Sequence, residues 1–140
     1  SEAAAKLDSV TFQNGITVTV PDSKIYFNFP GRYNIQFSAQ LLNYDTSDDN
    51  VTMWFKKNGT QIENSSSIEQ VSPKHGSSPG AIILALNIME QFNTGDYVEL
   101  FWTSQTGNTV LATYPPQTSP VCPASPSLIL TVQFVSAIPA

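Results

Sequence analysis

Hydrophobic and polar residues alternate along most of the chain, which is the pattern that β-strands produce when one face is buried. The clearest run begins at Gly31, where every second residue over positions 33–41 is apolar and the residues between them are polar. No long segment has the 3.6-residue period of a helix, and only Ala3–Leu7 is expected to form a short helical turn. The pattern therefore predicts an all-β fold.

Turn residues divide this pattern into about eight strands with one long crossover. Asn14-Gly15 and Asn58-Gly59 are typical hairpin turns. The polar segment Ser65–Gly80 is predicted to be an exposed loop with one short edge strand, and the proline-rich Pro115–Pro126 is predicted to be the crossover. The predicted strands are Val10–Phe12, Ile16–Val20, the strand after Gly31, Val51–Lys57, Thr60–Asn64, Ala81–Met89, Tyr97–Trp102, Thr109–Tyr114 and Ser127–Val135.

This arrangement fits an antiparallel two-sheet jelly-roll sandwich better than an open meander. A chain of 140 residues with 41% hydrophobic content is the size of one compact domain. We therefore expect a single jelly-roll domain over residues 8–140, preceded by a short N-terminal arm, residues 1–7.

The distribution of charged and apolar residues argues against nucleic acid and membrane partners. Only 12% of the residues are charged, the net charge is −5, and the six basic residues are scattered instead of forming a stripe. Binding to a polyanion needs several clustered cations, so nucleic acid is not an expected partner. No apolar run approaches the roughly 20 residues that span a bilayer, so no membrane association is expected.

The residues that could carry catalysis are few. His75 is the single histidine and lies in a Ser, Pro and Gly-rich loop, where a solvated side chain is the simplest interpretation. Cys122 is the single cysteine, so it has no partner for a disulfide within the chain. One Cys and one His do not supply the four ligands of a zinc site. We therefore expect neither an enzyme nor a cofactor.

An acidic loop offers a weak candidate for calcium. Asp45, Asp48, Asp49 and Asn50 lie close together in sequence, and carboxylates are the ligands that calcium prefers. Their spacing does not follow the EF-hand pattern. A plain acidic turn is the alternative, so no metal site is predicted with these residues.

Three short motifs, in order, resemble the globular domain of the C1q and tumour-necrosis-factor-like family. They are Gly31–Tyr33 at the head of an alternating strand, Phe55–Gly59 with its Lys-Asn-Gly hairpin, and Gly95–Leu100 with its Gly-Asp turn. The resemblance covers about residues 8–136. The family's Ser-Phe-Ser-Gly stretch before the last strand is missing, and Pro123–Val132 takes its place. This proline-led ending resembles C1q-like domains of tailed-bacteriophage fibre, knob and head-decoration proteins.

The resemblance implies a homotrimer with one sheet of each protomer packed around a threefold axis. A closed assembly of this kind buries aromatic side chains that a monomer would expose. Tyr97 and Phe101, opposite the inward residues of their strand, are the candidate interface residues, joined by Trp54. Ordinary exposed aromatic residues are the alternative.

The function that follows is a non-enzymatic structural protein at the virion surface of a tailed phage. It would be a homotrimeric head decoration or cement protein, or a fibre or knob tip, in contact with other capsid or tail proteins. Residues of the N-terminal arm are candidate anchors onto that larger assembly, and a disordered terminus is the alternative. The candidate anchor residues are Ser1, Glu2, Lys6 and Leu7.

A second function class remains open. Jelly rolls also serve as lectins, and a fold does not determine a function. Neutral polar loops such as Ser65–Gly80, together with exposed aromatic residues, would suit a receptor- or carbohydrate-binding module. A host-surface glycan is the partner expected under this alternative.

Overall fold

The computed structural model describes residues 1–139, and within them the protein has strands and loops but no helix. Thirteen strands follow one another along the chain. Their bounds are β1 Ala3–Ala4, β2 Ile16–Thr19, β3 Lys24–Phe27, β4 Gly31–Asn43, β5 Asp49–Lys57, β6 Thr60–Gln61, β7 Ser67–Val71, β8 Gly80–Phe92, β9 Tyr97–Ser104, β10 Thr109–Leu111, β11 Gln117–Thr118, β12 Val121–Cys122 and β13 Leu128–Ser136.

One sheet has seven strands, all paired antiparallel. Its main path runs β2-β3-β9-β5-β6. In addition β1 pairs with β9, and β7 pairs with β5. The central pair, β5 and β9, is held in register by Trp54 opposite Phe101 and by Thr52 opposite Thr103.

The second sheet has four strands and is organised around β4. Along one edge β4 pairs with β8 over its whole length, from Gly31 opposite Phe92 to Asn43 opposite Gly80. Along the other edge it pairs with β13 and then with β10. A separate hairpin is formed by β11 and β12.

The core lies between the two sheets and is built from the alternating apolar residues. Phe27 and Phe92 stack with ring centroids 3.8 Å apart, and Tyr33 packs edge-on against both. Phe37 from the four-stranded sheet meets Phe55 from the seven-stranded sheet at 5.6 Å. These contacts confirm the prediction of an antiparallel all-β sandwich.

Two glycines occupy positions where a side chain would not fit. A Cβ on Gly80 would lie 1.8 Å from the carbonyl oxygen of Ser72, which follows β7 of the other sheet. A Cβ on Gly31 would lie 2.5 Å from the ring of Phe134. Gly31 thus opens β4 because an aromatic ring packs directly on its backbone.

The structure corrects several of the sequence predictions. Ala3–Leu7 contains a short strand and no helical turn, because the edge of β9 is open there and the Ala5 N–H donates to the Leu100 carbonyl at 2.7 Å. Val10–Phe12 forms no strand, and the side chain of Phe12 is 88% exposed. Pro115–Pro126 contains the β11–β12 hairpin. The strand expected over Thr60–Asn64 ends at Gln61.

Candidate interaction surfaces

The three aromatic residues predicted to form a trimer interface share the outer face of the seven-stranded sheet. Trp54 and Phe101 are cross-strand neighbours with ring centroids 6.2 Å apart. The Lys56 Nζ lies 4.0 Å from the centre of the Phe101 ring. Tyr97 is half-buried under Lys24, whose Nζ is 4.6 Å from the ring centre. We call these three residues the aromatic face, and within it the rings of Tyr97 and Phe101 are each covered by a lysine of the same chain.

The N-terminal segment also lies on this sheet. Glu2 forms a salt bridge with Lys56 at 3.3 Å, and the Ser1 carbonyl accepts a hydrogen bond from Thr103. Ala5 is buried in the core, and the Leu7 N–H donates to Ser23 Oγ at 2.9 Å. Ser1, Glu2 and Lys6 remain exposed and Leu7 is half-buried. The candidate anchor residues thus lie against their own domain, and the anchoring role stays a prediction.

The outer face of the four-stranded sheet has a different character, and we call it the neutral face. It consists of the outward residues of β4, β8 and β13, and it carries a single charge, Arg32, at one end. Several of its apolar side chains are at least half exposed. The neutral face comprises Arg32, Asn34, Gln36, Ser38, Gln40, Ala81, Ile83, Ala85, Asn87, Met89, Gln91, Ile129, Thr131, Gln133 and Val135.

Sequence reasoning missed this surface because of β8. The apolar character of both faces of Ala81–Met89 is typical of a central strand, yet within residues 1–139 β8 pairs only with β4 and forms an edge. Its outward residues Ile83 and Met89 are 64% and 54% exposed. On β13, Ile129 is 52% exposed. The signal that could have revealed this surface is the presence of apolar residues, such as Ile83 and Ile129, at strand positions that face outward.

The acidic loop uses its carboxylates within the protein. Asp49 is buried and accepts hydrogen bonds from the Ser104 hydroxyl and, at 2.9 Å, from the Thr106 N–H. Asp45 accepts from the Thr46 N–H at 2.6 Å and from Asn108 at 2.8 Å. Each carboxylate oxygen of Asp45 and Asp49 thus already accepts a hydrogen bond within the protein.

The electrostatics of the loop agree with this arrangement. Burial acts to raise the pKa of Asp49, but the hydrogen bonds from Ser104 and Thr106 outweigh it and leave the pKa below its ordinary value. The hydrogen bond from Thr46 is the main cause of the lowered pKa of Asp45. Asp48 is exposed. Within residues 1–139 no three His, Cys, Asp or Glu side chains are grouped as metal ligands would be.

The single histidine and the single cysteine, for which no catalytic role is predicted, lie in different segments. His75 is exposed in the loop after β7, where its backbone pairs with Ser78. Cys122 is half-buried in the β11–β12 hairpin. Neither side chain forms a hydrogen bond with another residue in the part of the chain that the structure describes, so no partner orients or activates them there.

A groove of about 640 Å³ lies between residues 6–12 and β13. Its lining is mainly apolar, with Leu7, Ile25 and Leu130 among its residues. β13 pairs only with β4 among the described strands, so its other edge faces this groove. The N–H and C=O groups on this edge therefore have no strand partner among the described residues, as expected where a sheet ends.

A second, shallower cleft of about 420 Å³ lies on the outer face of the seven-stranded sheet. Trp54 and Thr52 of β5 line it together with Thr103 of β9 and the loop after β6. That loop contributes Gln61, Ile62, Glu63, Asn64 and Ser66. The cleft thus combines an indole ring with amide, hydroxyl and carboxylate groups.

No protein-family model matches the chain, and a search of the curated proteins finds no sequence match. Among residues 1–139 there is also no helix with the length and hydrophobicity needed to cross a membrane.

Proposed function

We propose that this chain is a non-enzymatic structural protein at the virion surface of a tailed phage, a homotrimeric head decoration or cement protein or a fibre or knob tip. The observation that carries the homotrimer is the neutral face, a sheet surface with exposed apolar side chains whose single charge, Arg32, lies at one end. Cores of protein interfaces are depleted of charged residues in the same way. The assignment to a tailed phage rests on the resemblance of the ending Pro123–Val132.

A second copy of the chain is the occupant that the composition of this face favours. Burying a charge without a partner is costly, so a surface that packs against copies of itself must be neutral or self-complementary. The residues of the central row, Ala85, Ser38 and Ile129, are small or apolar and carry no charge. Identical faces can therefore approach a threefold axis without bringing like charges together.

The winding of the chain supports the finer jelly-roll assignment. Successive long strands alternate between the sheets, since β3 and β5 belong to the seven-stranded sheet while β4 and β8 belong to the four-stranded sheet. The chain then returns through β9 before β13 closes the second sheet. Crossings of this kind between two antiparallel sheets are typical of jelly rolls.

The predicted aromatic interface of Trp54, Tyr97 and Phe101 competes with the neutral face for this role. Both belong to the same chain but to opposite sheets, so a trimer around one axis uses one of them. The lysines over the aromatic rings would have to move or become buried in the assembly, whereas the neutral face needs no such change. We therefore favour the neutral face.

Light scattering tests the assembly. We expect a solution mass of three times the 15.2 kDa protomer at micromolar concentration. Mass spectrometry of purified particles of the encoding phage is expected to detect the chain in stoichiometric amounts. A monomer that is absent from the particles would overturn the proposal.

A second candidate function is carbohydrate binding. It is favoured by the cleft beside Trp54, because an indole ring surrounded by amide, hydroxyl and carboxylate groups suits a sugar. The two functions are compatible, since the cleft and the neutral face lie on opposite sides of the sandwich.

A further inference from the structure

We propose that the cleft over Thr52 and Trp54 is a binding subsite for a neutral saccharide. The inference rests on the second candidate function and names its site and ligand class. It does not depend on the trimer or on the virion.

The composition of the cleft selects the ligand class. Five of its residues carry hydrogen-bonding side chains that form no side-chain hydrogen bond with any residue of the described chain. They are Thr52, Gln61, Glu63, Asn64 and Ser66. Polar groups of this kind remain free to meet the hydroxyls of a sugar.

The charge and hydrophobicity of the cleft argue against anionic ligands and lipids. Glu63 is the single charged residue of the lining, and its negative charge disfavours phosphate, sulfate and acidic sugars. Trp54 and Ile62 are the large apolar residues of the lining, too few to hold a lipid chain. An aromatic ring next to amide and carboxylate groups is instead the combination that meets both the apolar face and the hydroxyls of a hexose.

The wall of the cleft is held in place before any ligand enters. Ser65 is buried, its hydroxyl donates to the Ile62 carbonyl at 2.8 Å, and it accepts from the Phe55 N–H at 3.1 Å. The Ile62 N–H donates to the Phe55 carbonyl at 2.9 Å. Asn64 has a φ of 63°, which lets the loop turn sharply. A loop fixed in this way loses little entropy on binding.

Trp54 supplies a further reason for a ligand. Its indole N–H is shielded from solvent and has no hydrogen-bond acceptor in residues 1–139. Such a donor is costly to leave unpaired. A small side-chain adjustment on binding would let a sugar oxygen provide the missing acceptor.

The position of the cleft suits a protein displayed on a particle. It lies on the outer face of the seven-stranded sheet, opposite the neutral face. A trimer formed through the neutral face would leave three copies of the cleft exposed, and multiple weak sugar sites gain avidity when they bind together.

The test uses the full chain on an array of neutral oligosaccharides of glucose, galactose and N-acetylglucosamine. We expect binding to at least one of them, and a loss of about tenfold or more in affinity for Trp54→Ala, as for the removal of one central contact. Gln61→Ala is expected to weaken the same binding. Tyr44→Ala removes an exposed aromatic side chain outside the cleft and serves as the matched control.

Two results would overturn the proposal in different ways. Binding that survives both Trp54→Ala and Gln61→Ala would place the sugar elsewhere and leave the carbohydrate-binding function intact. Absence of binding to every neutral oligosaccharide would reject site and function together. Circular dichroism checks the fold of each variant, and Gln61, which is exposed, gives the decisive variant if Trp54→Ala does not fold.

Discussion

The outer faces of the two sheets differ in how their large apolar side chains are shielded from solvent. On the seven-stranded sheet, aromatic rings lie under lysine side chains, and Lys56 contacts both Phe101 and Glu2. On the four-stranded sheet, Ile83, Met89 and Ile129 are exposed, and no ion pair formed within residues 1–139 covers them. The aromatic rings of the first face are covered from within the chain, although Ile68 of β7 stays 69% exposed there, whereas the apolar side chains of the neutral face have no such cover. Large aromatic residues alone therefore do not identify an interface.

The two outer faces keep their places only while the two sheets pack together correctly, and Gly80 of β8 lies where the four-stranded sheet meets the segment after β7. We expect Gly80→Ala to destabilise the protein by about 3 kcal/mol or more, because the new Cβ would collide with the Ser72 carbonyl. Gly107→Ala is the control, since open space surrounds it and only its φ of 80° is unfavourable, at about 1–2 kcal/mol. Urea unfolding measures both, and equal losses would contradict the steric argument.

A charge on the neutral face is expected to break the proposed trimer. Ala85→Glu would bring three carboxylates toward the axis and weaken assembly by about 2–3 kcal/mol or more per contact, because like charges would lose their water. Gln70→Glu places the same group on an exposed position of the other sheet. Light scattering is expected to show a monomer for the first variant and an unchanged mass for the second. Dissociation by Gln70→Glu alone would point to the seven-stranded sheet instead.

Acid is expected to act on the end of the seven-stranded sheet and not on the neutral face. The pKa of Asp49 in the folded protein is lowered, so the stability that it contributes is present above its ordinary pKa of 3.8 and is lost as the pH falls through the folded value. Asp49→Asn is expected to cost about 1–3 kcal/mol at neutral pH, because hydrogen-bond donors lose their charged partner. The difference between the two proteins should shrink in acid.

Urea unfolding of both proteins at several pH values checks this expectation. The neutral face carries no carboxylate and no histidine, so the solution mass should stay constant between about pH 5 and 8. A stability difference that grows toward low pH would mean that Asp49 does not act through its charged form.

The smallest change in the free energy of unfolding is expected on removing a lysine that covers an aromatic ring of the seven-stranded sheet. Lys56→Ala removes both the cation over Phe101 and the salt bridge to Glu2, and we expect a loss of about 0.5–1 kcal/mol in the free energy of unfolding. Lys74→Ala, in the loop after β7, is the control with no expected change. A loss for Lys56→Ala that disappears in high salt would assign the effect to the ion pair alone.

Much of the fold was predictable because alternation reports burial directly. The alternating apolar residues at positions 33–41 of β4 do pack into the core, and Asn58-Gly59 is the turn between β5 and β6. Asn14-Gly15 lies at a bend but closes no hairpin, because Val10–Phe12 forms no strand. The strand over Val10–Phe12 failed for a physical reason. A strand needs a neighbour for its backbone hydrogen bonds, and the sequence does not say whether one is within reach.

The candidate surfaces were less predictable than the fold. Trp54, Tyr97 and Phe101 were placed on a common outward face correctly, but their cover by Lys24 and Lys56 depends on cross-strand neighbours. The cleft joins Trp54 and Thr103 to a loop that follows a different strand, so no local motif contains it.

Local periodicity and backbone preferences are enough to predict the all-β class, the inward and outward residues of β4 and β9 and several of the turns. They do not specify which strands are edges, which outward residues are covered or which polar groups meet in one cleft. Those properties depend on contacts between segments far apart in the chain, as when β8 becomes an edge and exposes apolar residues that its own sequence would place in the centre of a sheet.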